Sequence, residues 1–421
     1  MKKIMINLSV ISQGKPSALF KRTVLLTACL TLGFSVRAQQ LLEPSTESQL
    51  PAIKSKKVAE SLLQDIVRVN NRLLVVGERG HIAYSDDNAK TWLQSEVPTR
   101  QMLNAVHFVN AEQGWAVGYD GLVLNTVDGG KNWALQLDGI KFMRQRMADK
   151  IPELEAQKNQ LEKAKLDAAA AMNKAESAGE TDTSALQSTL NNINDRLSDA
   201  ENGINDAHDA LLNTVANPLL GVWFRDKQHG FVVGAFGEFL KTDNGGATWI
   251  SVIDRLENPD HSHLNAIIGK GDLMFIVGEA GHVYRSTDAG EHWTALESPD
   301  PENGSFFTVD MQLKNSTVAN EQIFIGGLRG AMYRSVDQGN SWIQVEDKLH
   351  NNINAFYFTG DNVVLAVGND GALLLSHNQG HSFEQHVRKN RRTIAGATTA
   401  ANGNYVLVGA GGVQTVPPRD M

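Results

Sequence analysis

Short apolar runs that end in a glycine recur along the chain at nearly constant intervals. Each run leads into a Gly-x-x-Gly turn, and the seven copies read VVGERG, AVGYDG, VVGAFG, IVGEAG, IGGLRG, AVGNDG and LVGAGG. Their first glycines are Gly77, Gly118, Gly234, Gly278, Gly327, Gly368 and Gly409, which are 41, 116, 44, 49, 41 and 41 residues apart. One unit of about 42 residues therefore repeats, with a single insertion after the second copy.

A second motif follows each glycine pair. Twelve residues after the second glycine an aromatic residue stands in six of the seven copies, and it ends the pattern S/T-x-D-x-G-x-T-W with tolerated departures. We assign a structural role in this turn to Asp87, Trp92, Asp128, Trp133, Trp249, Asp288, Trp293, Asp337 and Trp342. Short polar side chains accept hydrogen bonds from turn backbone, glycine tolerates a positive φ, and tryptophan packs between sheets. A calcium loop is the alternative, but these aspartates are not followed by an EF-hand glutamate twelve residues on.

The repeat predicts four short strands in each unit. The inner strand is a segment such as Asn104 to Val109, the second ends at the first glycine, the third carries a residue such as Tyr84, and the fourth starts at the aromatic. Such a sheet cannot bury its faces alone, so the copies are expected to stack as blades around an axis. The predicted fold is all-β, a seven-bladed β-propeller with an inserted antiparallel α-helical hairpin. Because the last copy supplies only three strands, we expect residues 40–58 to donate the missing outer strand.

The insertion, residues 139–218, has the apolar spacing of paired helices. Apolar residues at 186, 190, 193, 197, 200, 204, 207 and 211 form a heptad seam. The upstream partner runs from Met147 to Ala175, with Lys158 and Lys165 at seam positions. We predict two helices of roughly 27 residues joined by a turn at residues 179–184. We interpret the pair as an arm for partner docking or for self-association through residues 140–216, and a solvated decoration is the alternative.

The N-terminus is typical of a secretory signal. Lys21 and Arg22 precede the apolar run TVLLTACLTLGFSV, and a small-residue cleavage pattern ends at Ala38. The predicted organisation is a signal peptide (1–38), the closing strand with blades 1 and 2 (39–138), the helical coiled-coil insertion (139–218) and blades 3 to 7 (219–421). We expect a periplasmic or secreted protein, and a lipoprotein anchored at Cys29 is the alternative.

The composition excludes some kinds of covalent link, metal site and partner. Cys29 is the only cysteine, so the chain has no intramolecular disulfide and no cysteine-based metal site. The formal net charge is −8, and removal of residues 1–38 leaves 33 basic against 47 acidic residues, a net charge of −14. This balance argues against nucleic acid as a partner.

Strand order predicts one binding face. In a four-stranded blade the turn from the second to the third strand and the connection to the next blade emerge on the same side, so the insertion shares a face with the Gly-x-x-Gly turns. Propellers usually bind partners there. The residues that we expect on this face are Arg79, Arg100, Tyr119, Asp120, Phe236, Arg255, Glu279, Arg329, Asp370, Arg391 and Arg392. Arginines around the rim of an acidic protein favour recognition of carboxylates or acidic segments, although polar turn tips are also common without any such role.

The motifs GERGHIAYSDDNAKTW and GEAGHVYRSTDAGEHW resemble those of Asp-box, or bacterial neuraminidase repeat, propellers. They are most similar to the photosystem II stability/assembly factor family, over residues 62–416 apart from the insertion. The resemblance implies a protein-binding factor for assembly of a membrane complex, photosystem II in phototrophs. An exporter of the MMPL type is a further hypothesis for the partner, motivated by the helical arm.

A glycan-binding or sialidase-like propeller is the alternative function. A sialidase needs an arginine triad, and the Phe/Tyr-Arg-Ile-Pro segment that supplies the first arginine is absent before the first repeat. Asn104, Asn265 and Asn354 recur at one place in the inner strands, which indicates architecture, whereas catalytic residues should break the repeat. We therefore assign no catalytic residue and expect no cofactor. His261 and His263 are interpreted as loop histidines rather than metal ligands, since no third ligand has suitable spacing.

Overall fold

The computed structural model describes residues 50–300, 302, 304–312, 322–346, 348–359 and 362–420. The predicted signal peptide, Cys29 and residues 39–49 lie outside the described residues. Met147–Asn213 lie in one compact unit, and the sheets with the residues up to Arg146 and from Thr214 onward form another.

The strands form seven antiparallel sheets among the described residues, six of four strands and one of three. Sheet 1 contains β1 (Leu63–Val69), β2 (Arg72–Gly77), β3 (Ile82–Ser85) and β4 (Leu93–Gln94). Sheet 2 contains β5 (Leu103–Phe108), β6 (Gly114–Gly118), β7 (Val123–Thr126) and β8 (Ala134–Leu137). Sheet 3 contains β9 (Leu219–Phe224), β10 (Gly230–Gly234), β11 (Phe239–Thr242) and β12 (Ile250–Ser251).

The remaining sheets follow the same order. Sheet 4 contains β13 (Leu264–Lys270), β14 (Leu273–Gly278), β15 (Val283–Ser286) and β16 (Thr294–Leu296). Sheet 5 contains β17 (Phe306–Gln312), β18 (Gln322–Gly327), β19 (Met332–Ser335) and β20 (Ile343–Gln344). Sheet 6 contains β21 (Ile353–Thr359), β22 (Val363–Gly368), β23 (Ala372–Ser376) and β24 (Glu384–Val387). Sheet 7 contains β25 (Ile394–Thr399), β26 (Tyr405–Gly409) and β27 (Gln414–Val416).

The sheets pack face to face in a ring, which is the architecture of a β-propeller. Each inner strand contacts the inner strand of the next sheet, and β25 contacts β1. A cluster of buried apolar side chains lies between each neighbouring pair of sheets, including sheets 7 and 1. The second strands are apolar at successive positions because both of their faces are buried. Trp115 shows the closeness of this packing, since its ring stacks on Phe224 of the next sheet at a centroid distance of 3.5 Å.

The ring closes between sheets 7 and 1. Sheet 7 has three strands among the described residues, and residues 50–58 contribute no strand to it. Residues 50–58 therefore do not supply the predicted closing strand, and residues 40–49 of the predicted segment lie outside the described residues. Instead, Ser55 N donates to Gln94 Oε1 of sheet 1, and Val413 N donates to Ala59 O at 2.7 Å. Sheets 1 and 7 are joined by side-chain packing in a cluster that contains Val58 and Val408.

The insertion forms two helices, α1 (Gly139–Ser177) and α2 (Ser184–Leu212), so α1 is longer than predicted. It begins directly after sheet 2 because the side chain of Asp138 accepts a hydrogen bond from Lys141 N and caps the helix. All of the predicted seam positions of α2 are buried or partly buried. On α1 the prediction for Lys165 is wrong, because Lys165 is exposed and Ala164 occupies the seam. Lys158 stays at the seam, partly buried, with its ammonium 2.9 Å from Glu201 Oε1.

The first glycine of each turn should tolerate no side chain. A Cβ at Gly118 would strike the carbonyl oxygen of Met102, although its φ of −170° is open to any residue. We therefore expect Gly118→Ala to lower the free energy of unfolding by about 1–3 kcal/mol through crowding alone. Chemical denaturation monitored by tryptophan fluorescence measures this. Gly271→Ala is the control, since Gly271 has φ +59° and no neighbour within 4 Å of an added Cβ. A loss at Gly118 no larger than at Gly271 would contradict the assignment.

Candidate protein-binding face

The Gly-x-x-Gly turns share one hydrogen bond. In all seven copies the residue after the first glycine donates its backbone N–H to the carbonyl that precedes the inner strand of the same sheet, at 2.9–3.1 Å. The third residue of the turn has a positive φ although it is not glycine in six copies: Arg79, Asp120, Phe236, Ala280, Arg329 and Asp370. The left-handed conformation is unfavourable for such residues by about 1–3 kcal/mol. Because the left-handed conformation recurs in six turns, we assign its strain to the fold rather than to one functional site. The same conformation places the side chains of these six residues at the turn tips.

The second glycine packs against the connection that leaves the same sheet. A Cβ at Gly80 would strike the carbonyl of Thr99, and one at Gly371 would lie 3.2 Å from Arg388 Cβ. A Cβ at Gly121 would lie 3.0 Å from Gly139 Cα, where the insertion begins. Turns and connections therefore lie side by side on one face of the propeller, which we call the turn face.

Arginine and lysine residues are concentrated in one part of the turn face. We define the basic sector as Arg79, Arg100, Arg388, Lys389, Arg391 and Arg392, which lie on the turn of sheet 1 and on the connections after sheets 1 and 6. Arg79 lies 3.9 Å from Glu78, and the other five have no ion pair within the described residues. Arg388 Nε is buried without a hydrogen-bond partner there. Sequence reasoning missed Arg388 and Lys389, although only Asn390 separates them from the predicted Arg391 and Arg392.

Other predicted residues lie in different surroundings. Arg329 is on the turn of sheet 5, where its guanidinium is 3.4 Å from Glu302 Oε2. Arg255 donates to the carbonyl of Gly290 at 2.8 Å and lies 3.2 Å from Glu291, so its side chain contacts the Asp-box turn of sheet 4. The expectation that Arg255 lies with the turn-face arginines is therefore wrong.

Two aromatic residues are exposed at turn tips. Tyr119 and Phe236, on sheets 2 and 3, are 46% and 58% exposed. The Phe236 ring lies over His263 with a centroid distance of 4.8 Å, and His263 Nδ1 is 3.0 Å from Glu279 Oε2. Large exposed aromatic side chains of this kind are typical anchors in protein interfaces.

The four predicted Asp-box aspartates accept hydrogen bonds within their own turns, whereas the indole N–H groups of Trp249 and Trp342 are buried without a hydrogen-bond partner in the described residues. Asp87 accepts hydrogen bonds from Ser85 Oγ, Thr91 N and Thr91 Oγ1 at 2.6–2.9 Å. The Thr91 hydroxyl has the largest effect on Asp87 and lowers the carboxyl pKa to about 2. Trp133 and Trp293 donate their indole N–H to the turn carbonyls of Gly130 and Gly290. The described residues contain no group of three or more histidine, cysteine, aspartate or glutamate side chains placed to hold a metal ion.

A second candidate, missed from the sequence, lies where the inner strands meet. A cavity of about 540 Å³ is lined by residues of all seven inner strands, including Asp65, His107 and Asp310. At the position of Asp65, the other six strands carry alanine, glycine or threonine. This departure from the repeat was the signal that could have found it.

The walls of this cavity shift the pKa values of its titratable groups. Burial raises the pKa of Asp65 to about 6, against two backbone N–H donors that lower it. Burial, and secondarily the charge of Asp65, raises the pKa of Asp310 to about 7. Burial lowers the pKa of His107 to about 4, so this imidazole is neutral at pH 7 and Nε2 lies 3.0 Å from Phe224 O.

Asp310→Asn should stabilise the protein most at alkaline pH. The pKa of Asp310 rises on folding from 3.8 to about 7, so ionisation favours the unfolded chain increasingly from pH 4 to pH 7 and by a constant amount above it. The asparagine side chain would retain an acceptor for Met311 N without the charge. We expect the midpoint of thermal unfolding to rise by about 2–4 °C at pH 8 and by less at pH 5. The exposed Asp254→Asn is the control, and equal gains at both pH values would contradict the assignment.

Neither α1 nor α2, the two long helices of the described ranges, contains an apolar stretch of the length that crossing a bilayer requires. The family described as "Photosynthesis system II assembly factor YCF48" matches residues 84–148 and 206–304. A curated relative, "Photosystem II assembly lipoprotein Ycf48" of Synechococcus sp. (strain CC9902), is 40% identical over 85 residues. That match covers 20% of this chain and 25% of the relative, so only a quarter of the relative's length is represented.

Solved structures share the propeller fold. One of them, "YCF48 bound to D1 peptide", has a TM-score of 0.54 at 13% identity, over 85% of this chain and 94% of that chain. YCF48 from Cyanidioschyzon merolae has a TM-score of 0.52 at 14% identity, over 89% and 100% of the two chains. The WD40 propeller domain of Doa1 has a TM-score of 0.51 at 8% identity, over 88% and 95%. Over residues 84–148 and 206–304 this chain is therefore similar to photosystem II assembly factors, and the solved structures share its propeller fold.

Proposed function

We propose that the chain is a non-catalytic, seven-bladed propeller that binds a protein during assembly of a membrane complex. The family match and the name of the Synechococcus relative support an assembly role. One solved relative is described as bound to a D1 peptide, which supports a protein partner. Of the two partners suggested by the sequence, the relatives favour a photosystem-like complex over an MMPL-type exporter.

The observation that carries the proposal is the basic sector. Five of its six cations have no ion pair within the described residues, on a chain whose formal net charge is −8. Arginines without an internal ion pair retain donors for an incoming carboxylate, and their fork geometry suits two-point contact with it. We infer that the sector binds an acidic segment or a carboxyl terminus of the partner. The exposed Tyr119 and Phe236 would add apolar contacts on the same face.

The proposed location is outside the cytoplasm. The signal-like N-terminus motivates a periplasmic or secreted protein with cleavage near Ala38. The name of the Synechococcus relative favours the other reading, a lipoprotein anchored at Cys29. Mass spectrometry of the mature N-terminus distinguishes the two, because a lipoprotein would begin with an acylated cysteine.

Reversing charge in the basic sector should weaken binding of an acidic ligand. We expect Arg391→Glu with Arg392→Glu to weaken binding of a short acidic peptide with a free carboxyl terminus by about tenfold or more, and to reduce its salt dependence. Fluorescence anisotropy with a labelled peptide measures both. The matched control is Lys131→Glu with Lys227→Glu, an equal change of charge near the Asp-box turns. Equal weakening by both pairs would indicate net charge alone and would contradict the proposal.

The role of the helical unit is tested by replacing residues 147–213 with a short glycine-serine linker. If the unit docks a partner, affinity capture from the membrane fraction should lose specific proteins that the full chain retains. If it mediates self-association, sedimentation should show a smaller oligomer for the deletion. An unchanged set of captured partners together with an unchanged oligomeric state would contradict both roles of the helical unit.

A further inference from the structure

Three large apolar side chains are exposed on the turn face, outside the basic sector. Tyr119 is the second residue of the turn of sheet 2, and Phe236 is the third residue of the turn of sheet 3. Val215 lies in the connection between α2 and β9. Their exposed fractions are 46%, 58% and 78%, respectively. We call these three residues the apolar strip, and all of them belong to the unit that contains the sheets.

The apolar strip is continuous from sheet 2 to sheet 3. A Cβ at Gly121 would lie 3.4 Å from Ala216 Cβ, so Ala216 packs against the turn of sheet 2. Two residues later, Pro218 O accepts a hydrogen bond from Ala235 N at 2.9 Å, in the turn of sheet 3. The segment that begins with Val215 therefore runs from one turn to the other.

The apolar strip adjoins the basic sector. The connection after sheet 1 contains Arg100, a member of the sector, and leads into Met102, whose carbonyl accepts the backbone N–H of Tyr119 at 2.9 Å. Between them, Gln101 donates its side-chain amide to the carboxylate of Asp120. The cations of the sector and the apolar side chains of sheets 2 and 3 therefore follow one another around the turn face.

Contacts within the turn face hold the Phe236 side chain in place. Its backbone has a φ of +55°, and its ring centroid lies 4.8 Å from that of His263. His263 Nδ1 lies 3.0 Å from Glu279 Oε2, which fixes the imidazole in turn. A partner that binds an aromatic ring already in position loses less conformational entropy than one that binds a mobile ring.

We propose that the basic sector and the apolar strip together bind one extended protein segment, with an acidic end on the sector and apolar side chains on the strip. This inference rests on the proposed function and specifies the ligand of that surface. The cations of the sector determine the chemistry of one end by charge complementarity. The exposed aromatic residues beside them favour apolar side chains in the rest of the segment, because aromatic residues are common anchors in protein interfaces.

Fluorescence anisotropy of labelled peptides with the full chain tests this ligand. Each peptide has an acidic carboxyl-terminal end and otherwise consists of glycine and serine. One phenylalanine stands three, six or nine residues before the acidic end, and serine replaces it in the reference peptide. We expect the best-placed phenylalanine to tighten binding about tenfold relative to the reference peptide.

Variants of the apolar strip should remove this gain. We expect Phe236→Ala and Tyr119→Ala each to reduce it to about threefold or less. Both variants should fold, because alanine occupies the same turn positions in other sheets, as Ala280 and Ala235.

The aliphatic residue of the strip has a matched control elsewhere on the surface. Val215→Ser should reduce the gain from phenylalanine about two- to threefold. Val127→Ser makes the same change at an Asp-box turn, where Val127 is 67% exposed, and should leave the gain unchanged. An equal loss in both variants would contradict a specific contact with the strip.

The peptides separate failure of this inference from failure of the proposed function. Equal binding of the phenylalanine and serine peptides at every spacing would overturn the role of the strip alone, because the acidic end would still bind. Absence of binding by every peptide would overturn both.

An anionic membrane is the alternative occupant of the strip. Vesicles of phosphatidylglycerol and phosphatidylcholine test it by co-sedimentation. Vesicle binding that Phe236→Ala weakens, without any gain from phenylalanine in the peptides, would assign the strip to lipid and overturn the proposal.

Discussion

The structure depends on one backbone hydrogen bond, repeated seven times. It joins the residue after the first turn glycine to the carbonyl before the inner strand. A side chain on that glycine would occupy the space of the same carbonyl, so the bond requires glycine even where φ is extended. The bond sets where the second strand ends, and the left-handed residues that follow set which side chain reaches the tip. The chemistry of the turn face follows from this constraint.

Packing of apolar side chains joins sheets 7 and 1 where the ring closes. Sheet 7 has one strand fewer than the others among the described residues, yet it packs on sheet 1 as its neighbours pack on one another. Burial of apolar side chains between neighbouring sheets stabilises their packing. This stabilisation is proportional to the apolar area that is buried rather than to the number of strands. Side chains add contacts across the seam, as when Arg68 donates to Thr399 O.

Several charged residues interrupt the repeat. Asp65 and Asp310 interrupt a ring of mostly small and apolar residues. The turn face is likewise divided, with cations around sheets 6, 7 and 1 and carboxylates around sheet 5. A symmetric scaffold with local departures can hold several unlike ligands without a change of fold.

Periodicity predicted the propeller, its repeat length and the helical pair, because glycine spacing and heptads are local properties of the chain. It also predicted that the three inner-strand asparagines are architectural: Asn104, Asn265 and Asn354 each donate to a carbonyl of the next inner strand at 2.8–2.9 Å. It could not show that Arg255 reaches an Asp-box turn, that Ala164 replaces Lys165 at the helix seam, or that Asp65 and Asp310 face one cavity. These facts depend on residues far apart in sequence, and only packing of the sheets and helices brings them together.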